Sequence, residues 1–302
     1  MTTAEFELRR QPSTARALWQ GLRPRHWLKN LLVFVPMLAA HAINGATALQ
    51  SLLAFAAFCL CASSAYLLND AMDAEDDRHH PVKRHRPIAS GALSATLARA
   101  VSALLALTAL ALCAWYGGLL LAAVAVYFGA TIAYSAYLKR LLMVDTVTLA
   151  LLHTLRVLGG CAATGIEPSF WLLAFSFFLF LSLALLKRHS ELFNLERVGK
   201  DKTSGRGYAT ADRAPIGMLG VNSAFVSVVI FMLYFNSENV LRLYRHPSWL
   251  FGIVPLAMLW LGRLWVLSFR GEVNEDPLLY VSRDPVSLVV IAACAALGAA
   301  AV

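Results

Sequence analysis

Residues 66–77 read Tyr66-Leu67-Leu68-Asn69-Asp70-Ala71-Met72-Asp73-Ala74-Glu75-Asp76-Asp77, and they close an apolar run that begins near residue 47. An α-helix needs about 20 apolar residues to cross a bilayer, so these acids fall where a membrane helix meets water. Continued as a helix, the segment puts Asp70, Asp73 and Asp77 at i, i+3 and i+7, on one face. Three carboxylates at a membrane boundary repel one another and are costly to desolvate unless a cation joins them. Mg2+ suits the position, because it takes oxygen ligands, keeps several waters and bridges carboxylates to phosphates. A solvated acidic loop end is the other reading of such a run. The continuation favours the metal: Arg78-His79-His80-Pro81-Val82-Lys83-Arg84-His85-Arg86-Pro87-Ile88-Ala89-Ser90-Gly91 supplies cations next to acids, as a metal-bound polyphosphate requires. His79 and His80 stay outside the candidate set, since adjacent histidines in a polar loop are more often just solvated.

The whole 302-residue chain is 59% hydrophobic and 15% charged, against about 45–50% and about 25% in soluble domains. That balance excludes a soluble globule. Apolar segments run at about 28–43, 47–68, 93–115, 118–138, 142–163, 169–187, 214–236, 247–268 and 285–302, which predicts one all-α polytopic membrane domain over residues 1–302 with nine crossings. The start, residues 1–27, carries Arg9, Arg10, Arg16, Arg23 and Arg25 without the central apolar run of a secretory signal. Leu18, Trp19 and Leu22 between Arg16 and Arg23 suit a helix lying in the interface. Cys59, Cys61, Cys113, Cys161 and Cys294 all lie in apolar stretches without metal spacing and read as small packing residues.

Alternating sides from a cytoplasmic N-terminus leaves Arg242 and Arg245 outside, with nearly all other Lys and Arg on inner loops. This is the positive-inside pattern, and it places the long charged loops on the cytoplasmic side of a bacterial inner membrane. It also accounts for the formal charge of +8 without nucleic acid as a partner.

The motif Asn69-Asp70-x-x-Asp73-x-x-x-Asp77, followed by Lys83-Arg84-x-Arg86-Pro87-Ile88-x-x-Gly91, resembles the first Asp-rich motif of the UbiA superfamily of intramembrane prenyltransferases. Tyr134-Ser135-x-x-Leu138-Lys139-Arg140 and Arg156 are similar to that family as well. The resemblance implies nine transmembrane helices around a central cavity, capped on the cytoplasmic side by two motif loops, and Mg2+ as cofactor.

The second motif departs from the family. Where typical members carry a second acidic motif for a second Mg2+, this chain has Lys187-Arg188-His189-Ser190-Glu191, and Arg23-Pro24-Arg25-His26-Trp27-Leu28-Lys29-Asn30 adds cations before the first crossing. Both departures are similar to the decaprenyl-phosphate phosphoribosyltransferase branch, which takes 5-phosphoribosyl 1-diphosphate as donor and a polyprenyl phosphate as acceptor. More phosphate groups need more cations. On that reading Asp70, Asp73 and Asp77 hold the metal, Asn69 orients an acid or a ribose hydroxyl, and Lys83, Arg84 and Arg86 neutralise the leaving diphosphate. Lys187 and Arg188 hold the 5-phosphate or the acceptor phosphate, Glu191 a ribose hydroxyl or a metal-bound water, and Lys139, Arg140 and Arg156 contact the lipid phosphate. Arg23 and Lys29 are further phosphate contacts or membrane anchors. Homo-oligomerisation is left open.

Prenyl transfer to an aromatic or other acceptor is the enzymatic alternative, and a transporter or lipid flippase the non-enzymatic one. The latter calls for charged or broken helices at the midplane, whereas this chain gathers its charge at one face, with Arg156 and Arg99 lying deeper within segments. The stretch Lys200-Asp201-Lys202-Thr203-Ser204-Gly205-Arg206-Gly207-Tyr208 reads as a connecting loop or a lid. Glu272, Glu275, Asp276, Arg283 and Asp284 are given no chemistry.

Overall fold

A computed structural model describes residues 13–79, 83–203, 205–235, 237, 240, 243–273 and 276–302. Arg9, Arg10, His80, Pro81, Val82, Ser204, Arg242 and Glu275, named above, lie outside the described residues. The fold is helical. In chain order come α1 (Thr14–Leu22), a 3₁₀ segment (Pro24–Phe34), α2 (Val35–Ala39), α3 (Gly45–Met72), α4 (Ala74–His79), α5 (Ala95–Tyr116) and α6 (Gly118–Ala136). Then follow α7 (Val144–Thr164), α8 (Phe170–Arg197), α9 (Arg213–Tyr234), α10 (Ile253–Phe269), α11 (Pro277–Val281) and α12 (Pro285–Ala301).

Among the described residues seven helices are long and apolar enough to cross a membrane, and Pro285–Ala301 is a shorter apolar helix. The first apolar stretch takes a different form, as 3₁₀ turns and the five-residue α2. A 3₁₀ helix rises about 2.0 Å per residue against about 1.5 Å in an α-helix, so it carries a short stretch further. The segment lies close against α7. A Cβ on Gly160 of α7 would stand 2.1 Å from the Val33 carbonyl oxygen, so only glycine lets the 3₁₀ backbone lie directly against α7.

Two hydrophobic clusters divide the bundle. One joins Val33 to Phe58, Leu120, Val124 and Leu152 across the 3₁₀ segment, α3, α6 and α7. The other joins Phe180, Leu185, Leu186, Leu264 and Trp265 across α8 and α10, with Ile216 and Val228 of α9. Buried small residues such as Ala54, Ala57 and Cys61 let α3 approach its neighbours closely, and the Ser64 hydroxyl donates 2.8 Å to the Ser102 carbonyl between α3 and α5. Leu107, Trp115, Leu119 and Phe170 face outward, as residues in contact with lipid do. The charged connections gather at one end of the bundle, where α1, the end of α3, α4, the α6–α7 link, the end of α8 and the segment before α11 meet.

Candidate functional site

The i→i−4 bonds run on past the end of α3: the Asp73 amide donates 2.9 Å to Asn69 and the Asp77 amide 2.8 Å to Asp73. Asp73 caps α3 at the bend before α4, and of the three acids Asp70 and Asp77 come to share a partner. Asp70 and Asp77 are buried and converge on a single nitrogen, Arg86 Nη1, at 3.1 and 2.6 Å. Arg23 binds Asp70 with Nη2 at 2.8 and 2.9 Å from its two oxygens. Lys83 stands 3.9 Å from Asp77 and Lys139 3.1 Å from Asp73. Burial and the neighbouring Arg86 push the Lys83 ammonium below its ordinary pKa. Asn69 is half-buried beside these acids, while Arg84 and Arg140 are exposed.

Two buried carboxylates aimed at one positive centre are a donor set that fits Mg2+, which proteins hold by one or two carboxylates plus substrate phosphate. Among the described residues no three His, Cys, Asp or Glu side chains come together as a metal site: Asp70 and Asp77 converge while Asp73 pairs apart with Lys139, so any further ligands would come from substrate and water.

A second cluster joins distant parts of the chain. Lys29 of the 3₁₀ segment and Lys187 of α8 both donate to Asp276 Oδ2, at 2.7 and 3.2 Å. Burial raises the Asp276 pKa, but the two ammonium groups outweigh it and hold the carboxyl well below the usual range. Lys29, Lys187, Asp276 and His153 line a cavity of about 40 Å³ whose other walls include Leu149, Phe180, Leu183 and Leu278. His153 Nδ1 meets the Leu149 carbonyl at 2.7 Å; Nε2 is buried without a hydrogen-bond partner. On the outer side of the 3₁₀ segment a groove of about 450 Å³ is lined by Arg25, Trp27, Leu28, Leu31, Phe55, Leu279 and Arg283.

Arg188 is wholly buried: Nη2 lies 2.9 Å from Asp145, itself 0% exposed, and Nη1 pairs with Glu191. Its guanidinium also lies over the Tyr208 ring. A phosphate reaches it only if these contacts open. The stretch 201–210 forms a hairpin-like turn, with Thr203 donating 3.0 Å to the Tyr208 carbonyl and Thr210 2.9 Å to Asp201. It is docked rather than loose. The Tyr208 hydroxyl donates to Asp145, and a Cβ on Gly207 would stand 2.6 Å from the Arg140 carbonyl oxygen. That docking brings Arg206 to 3.7 Å from Asp145 and 3.8 Å from Glu191. Burial opposes the Arg206 charge, but Glu191, Tyr134 and Asp145 outweigh it and raise its pKa.

Arg156 lies deeper in α7, where it donates to Asn30 Oδ1 at 2.8 Å, the Leu152 carbonyl at 2.6 Å and the Tyr127 hydroxyl at 2.7 Å. All three acceptors are neutral, so these contacts leave its positive charge uncompensated beneath the site.

The structure thus brings together Arg23, Asp70, Asp73, Asp77, Lys83, Arg86 and Lys139 on one side and Lys29 with Lys187 on the other. Sequence reasoning missed Asp145, Arg206, Tyr208 and Asp276. Asp145, an acid just inside an apolar segment, was the one legible signal, since burying a carboxylate there is costly without a partner.

The profile of the UbiA prenyltransferase family matches residues 31–283. Uncharacterized protein y4nM of Sinorhizobium fredii is 36% identical over 269 residues, 88% of this chain but 52% of that protein, so the chain spans about half its length. Nodulation protein NoeC of Azorhizobium caulinodans is 36% identical over 90% of this chain and 89% of its own. Decaprenyl-phosphate phosphoribosyltransferase of Corynebacterium glutamicum is 38% identical over 66% of this chain and 62% of that enzyme. A UbiA homologue from Archaeoglobus fulgidus, solved with GPP and Mg2+, superposes with a TM-score of 0.71 over 94% of this chain and 99% of its own at 18% identity, which shows the shared fold. With the profile covering most of the chain, and NoeC alike over nearly its full length, this protein belongs to the UbiA prenyltransferase family.

Proposed function

We propose that the protein transfers the 5-phosphoribosyl group of 5-phosphoribosyl 1-diphosphate to a polyprenyl phosphate and releases pyrophosphate, at the cytoplasmic face of a bacterial inner membrane. The observation that carries this reading is the excess of cations. Arg23, Lys29, Lys83, Arg86, Lys139, Lys187, Arg188 and Arg206 face Asp70, Asp73, Asp77, Asp145, Glu191 and Asp276 at one end of the bundle. A diphosphate, a 5-phosphate and an acceptor phosphate need such an excess; a prenyl diphosphate with a neutral acceptor does not. The likeness to decaprenyl-phosphate phosphoribosyltransferases supports the same reading.

An oxygen of the acceptor phosphate forms the new bond to ribose C1 while the bond from C1 to the diphosphate breaks, its electron pair leaving with pyrophosphate. The acceptor is already anionic near neutral pH, so no strong base is needed. Asp70 and Asp77 would hold Mg2+, with Asp73 beside them. Bound there, the cation would neutralise charge on the departing diphosphate. Lys83 and Arg86 are placed to do the same by charge-assisted hydrogen bonds. Arg206, carried in by the 201–210 turn, is placed to meet a third phosphate beside Glu191.

The test is to incubate purified protein with labelled phosphoribosyl diphosphate and a polyprenyl phosphate, with and without Mg2+. Mg2+-dependent appearance of label in the lipid is the expected result. No label in the lipid, with transfer from a prenyl diphosphate to an aromatic acceptor instead, would reverse the assignment.

A further inference from the structure

We infer that Asp276 occupies the place of the acceptor's phosphate: its carboxylate, held between Lys29 and Lys187, is an internal surrogate that an incoming lipid phosphate monoester displaces. This rests on the reading of the acceptor as a polyprenyl phosphate. Asp276 Oδ2 takes ammonium donors at 2.7 and 3.2 Å from two elements far apart in sequence, which is how a phosphate oxygen would be gripped. Beside it, His153 lines the same cavity; with its Nδ1 proton on the Leu149 carbonyl, the unpartnered Nε2 is an acceptor, which suits the remaining hydroxyl of a singly protonated phosphate monoester.

Charge pairing decides that the carboxylate must move. Both ammonium groups are already engaged by Asp276 Oδ2, so a phosphate gains them only where Asp276 has left. Asp276 sits on the short connection just before α11, where its Oδ1 accepts the Leu278 amide at 3.2 Å. As the N-cap of the five-residue α11, it can be displaced at the loss of one cap bond, without unpacking a long helix.

The apolar walls choose between phosphate sources. Leu149, Phe180, Leu183 and Leu278 offer nothing to ribose hydroxyls but suit the first isoprene units of a lipid. A separate groove on the 3₁₀ segment exposes Leu28 and Leu31 beside Arg25. The donor's phosphates instead belong with Asp70, Asp77, Arg86 and Arg206.

Binding of farnesyl phosphate, farnesol, inorganic phosphate and phosphoribosyl diphosphate to the detergent-solubilised full chain, measured calorimetrically, tests the inference. Asp276→Asn keeps a good helix N-cap and removes the competing charge. It should tighten farnesyl phosphate about tenfold, while Lys29→Met and Lys187→Met weaken it about tenfold, as loss of a charge-assisted contact does. Farnesol should bind equally to all forms. Unchanged or weaker farnesyl phosphate binding by Asp276→Asn overturns the inference, as does an equal gain for farnesol, or a larger one for inorganic phosphate or phosphoribosyl diphosphate. Should Asp276→Asn fail to fold, unchanged binding by both lysine variants overturns it equally. Phosphoribosyl transfer by the wild type together with unchanged variant affinities would sink the surrogate alone. Tightened lipid binding without any phosphoribosyl transfer would sink the functional reading alone.

Discussion

Arg23 Nη2 lies 2.8 Å from one oxygen of Asp70 and 2.9 Å from the other, so the residue that ends α1 neutralises the first acid of the Asp-rich motif. Arg23 has a left-handed backbone, φ 53°, at the junction of α1 with the 3₁₀ segment. That turn aims its guanidinium back at α3. If Mg2+ competes with Arg23 for Asp70, Arg23→Gln should bind Mg2+ or Mn2+ severalfold tighter without donor, yet turn over more slowly because a phosphate contact is gone. Metal titration by paramagnetic resonance of Mn2+ checks the first part, and weaker metal binding would show that Arg23 organises the acids instead of competing for them.

Asp73 pairs with Lys139 and is less buried than Asp70 or Asp77. Asp73→Asn should fold normally and lower transfer by about 100-fold, equivalent to about 2.7 kcal/mol, with a raised Mg2+ requirement. Turnover measured across a Mg2+ series decides this, and near-normal activity would remove Asp73 from the metal assignment.

Arg188 and Asp145 form an ion pair with both side chains 0% exposed. Removing one partner of a buried pair leaves an uncompensated charge and costs about 3–5 kcal/mol. Arg188→Met should therefore lower the melting temperature sharply, and Asp145→Asn added to it should restore much of the loss. A stable Arg188→Met protein with only a raised substrate KM would mean that the guanidinium serves phosphate directly.

His26 lies between Arg23 and Lys29 and packs on Tyr66 at 5.4 Å. Burial, then the Lys29 charge, push its pKa down from 6.5 to about 4. Between these values the unfolded chain binds the proton that the folded chain refuses, so stability rises with pH across that window and is lost as pH falls through it. His26→Gln should flatten the pH dependence of the melting temperature between about pH 4 and 6.5. An equally steep profile in the variant would assign the slope to other groups.

Asp76 and Glu75 are exposed, whereas Asp77 is buried, so Asp76 is the better site for a topology probe. In a background without the native thiols, Asp76→Cys should react with impermeant reagents only from the cytoplasmic side. Labelling from outside would invert the orientation.

Composition and periodicity were enough for the helical membrane bundle, because apolar length is itself the requirement for crossing lipid. The segments read at 47–68, 93–115 and 142–163 became Gly45–Met72, Ala95–Tyr116 and Val144–Thr164. That Asp70 and Asp77 come close follows from helical spacing, which is local, whereas the cation that each acid meets, Arg86 for these two and Lys139 for Asp73, depends on distant packing. The form of the first apolar stretch was not legible, since its 3₁₀ backbone fits against α7 through the close approach of Val33 to Gly160, 127 positions away. Nor could local sequence tell Lys187 from Arg188. Adjacent on α8, they point about 100° apart, one to the cavity with Lys29 and Asp276, the other into the protein against Asp145. Which partner lies on each side is decided by how α7, α8 and the segment before α11 pack. A charge in so apolar a bundle is settled by whichever opposite charge the fold brings within reach, and only tertiary structure determines that.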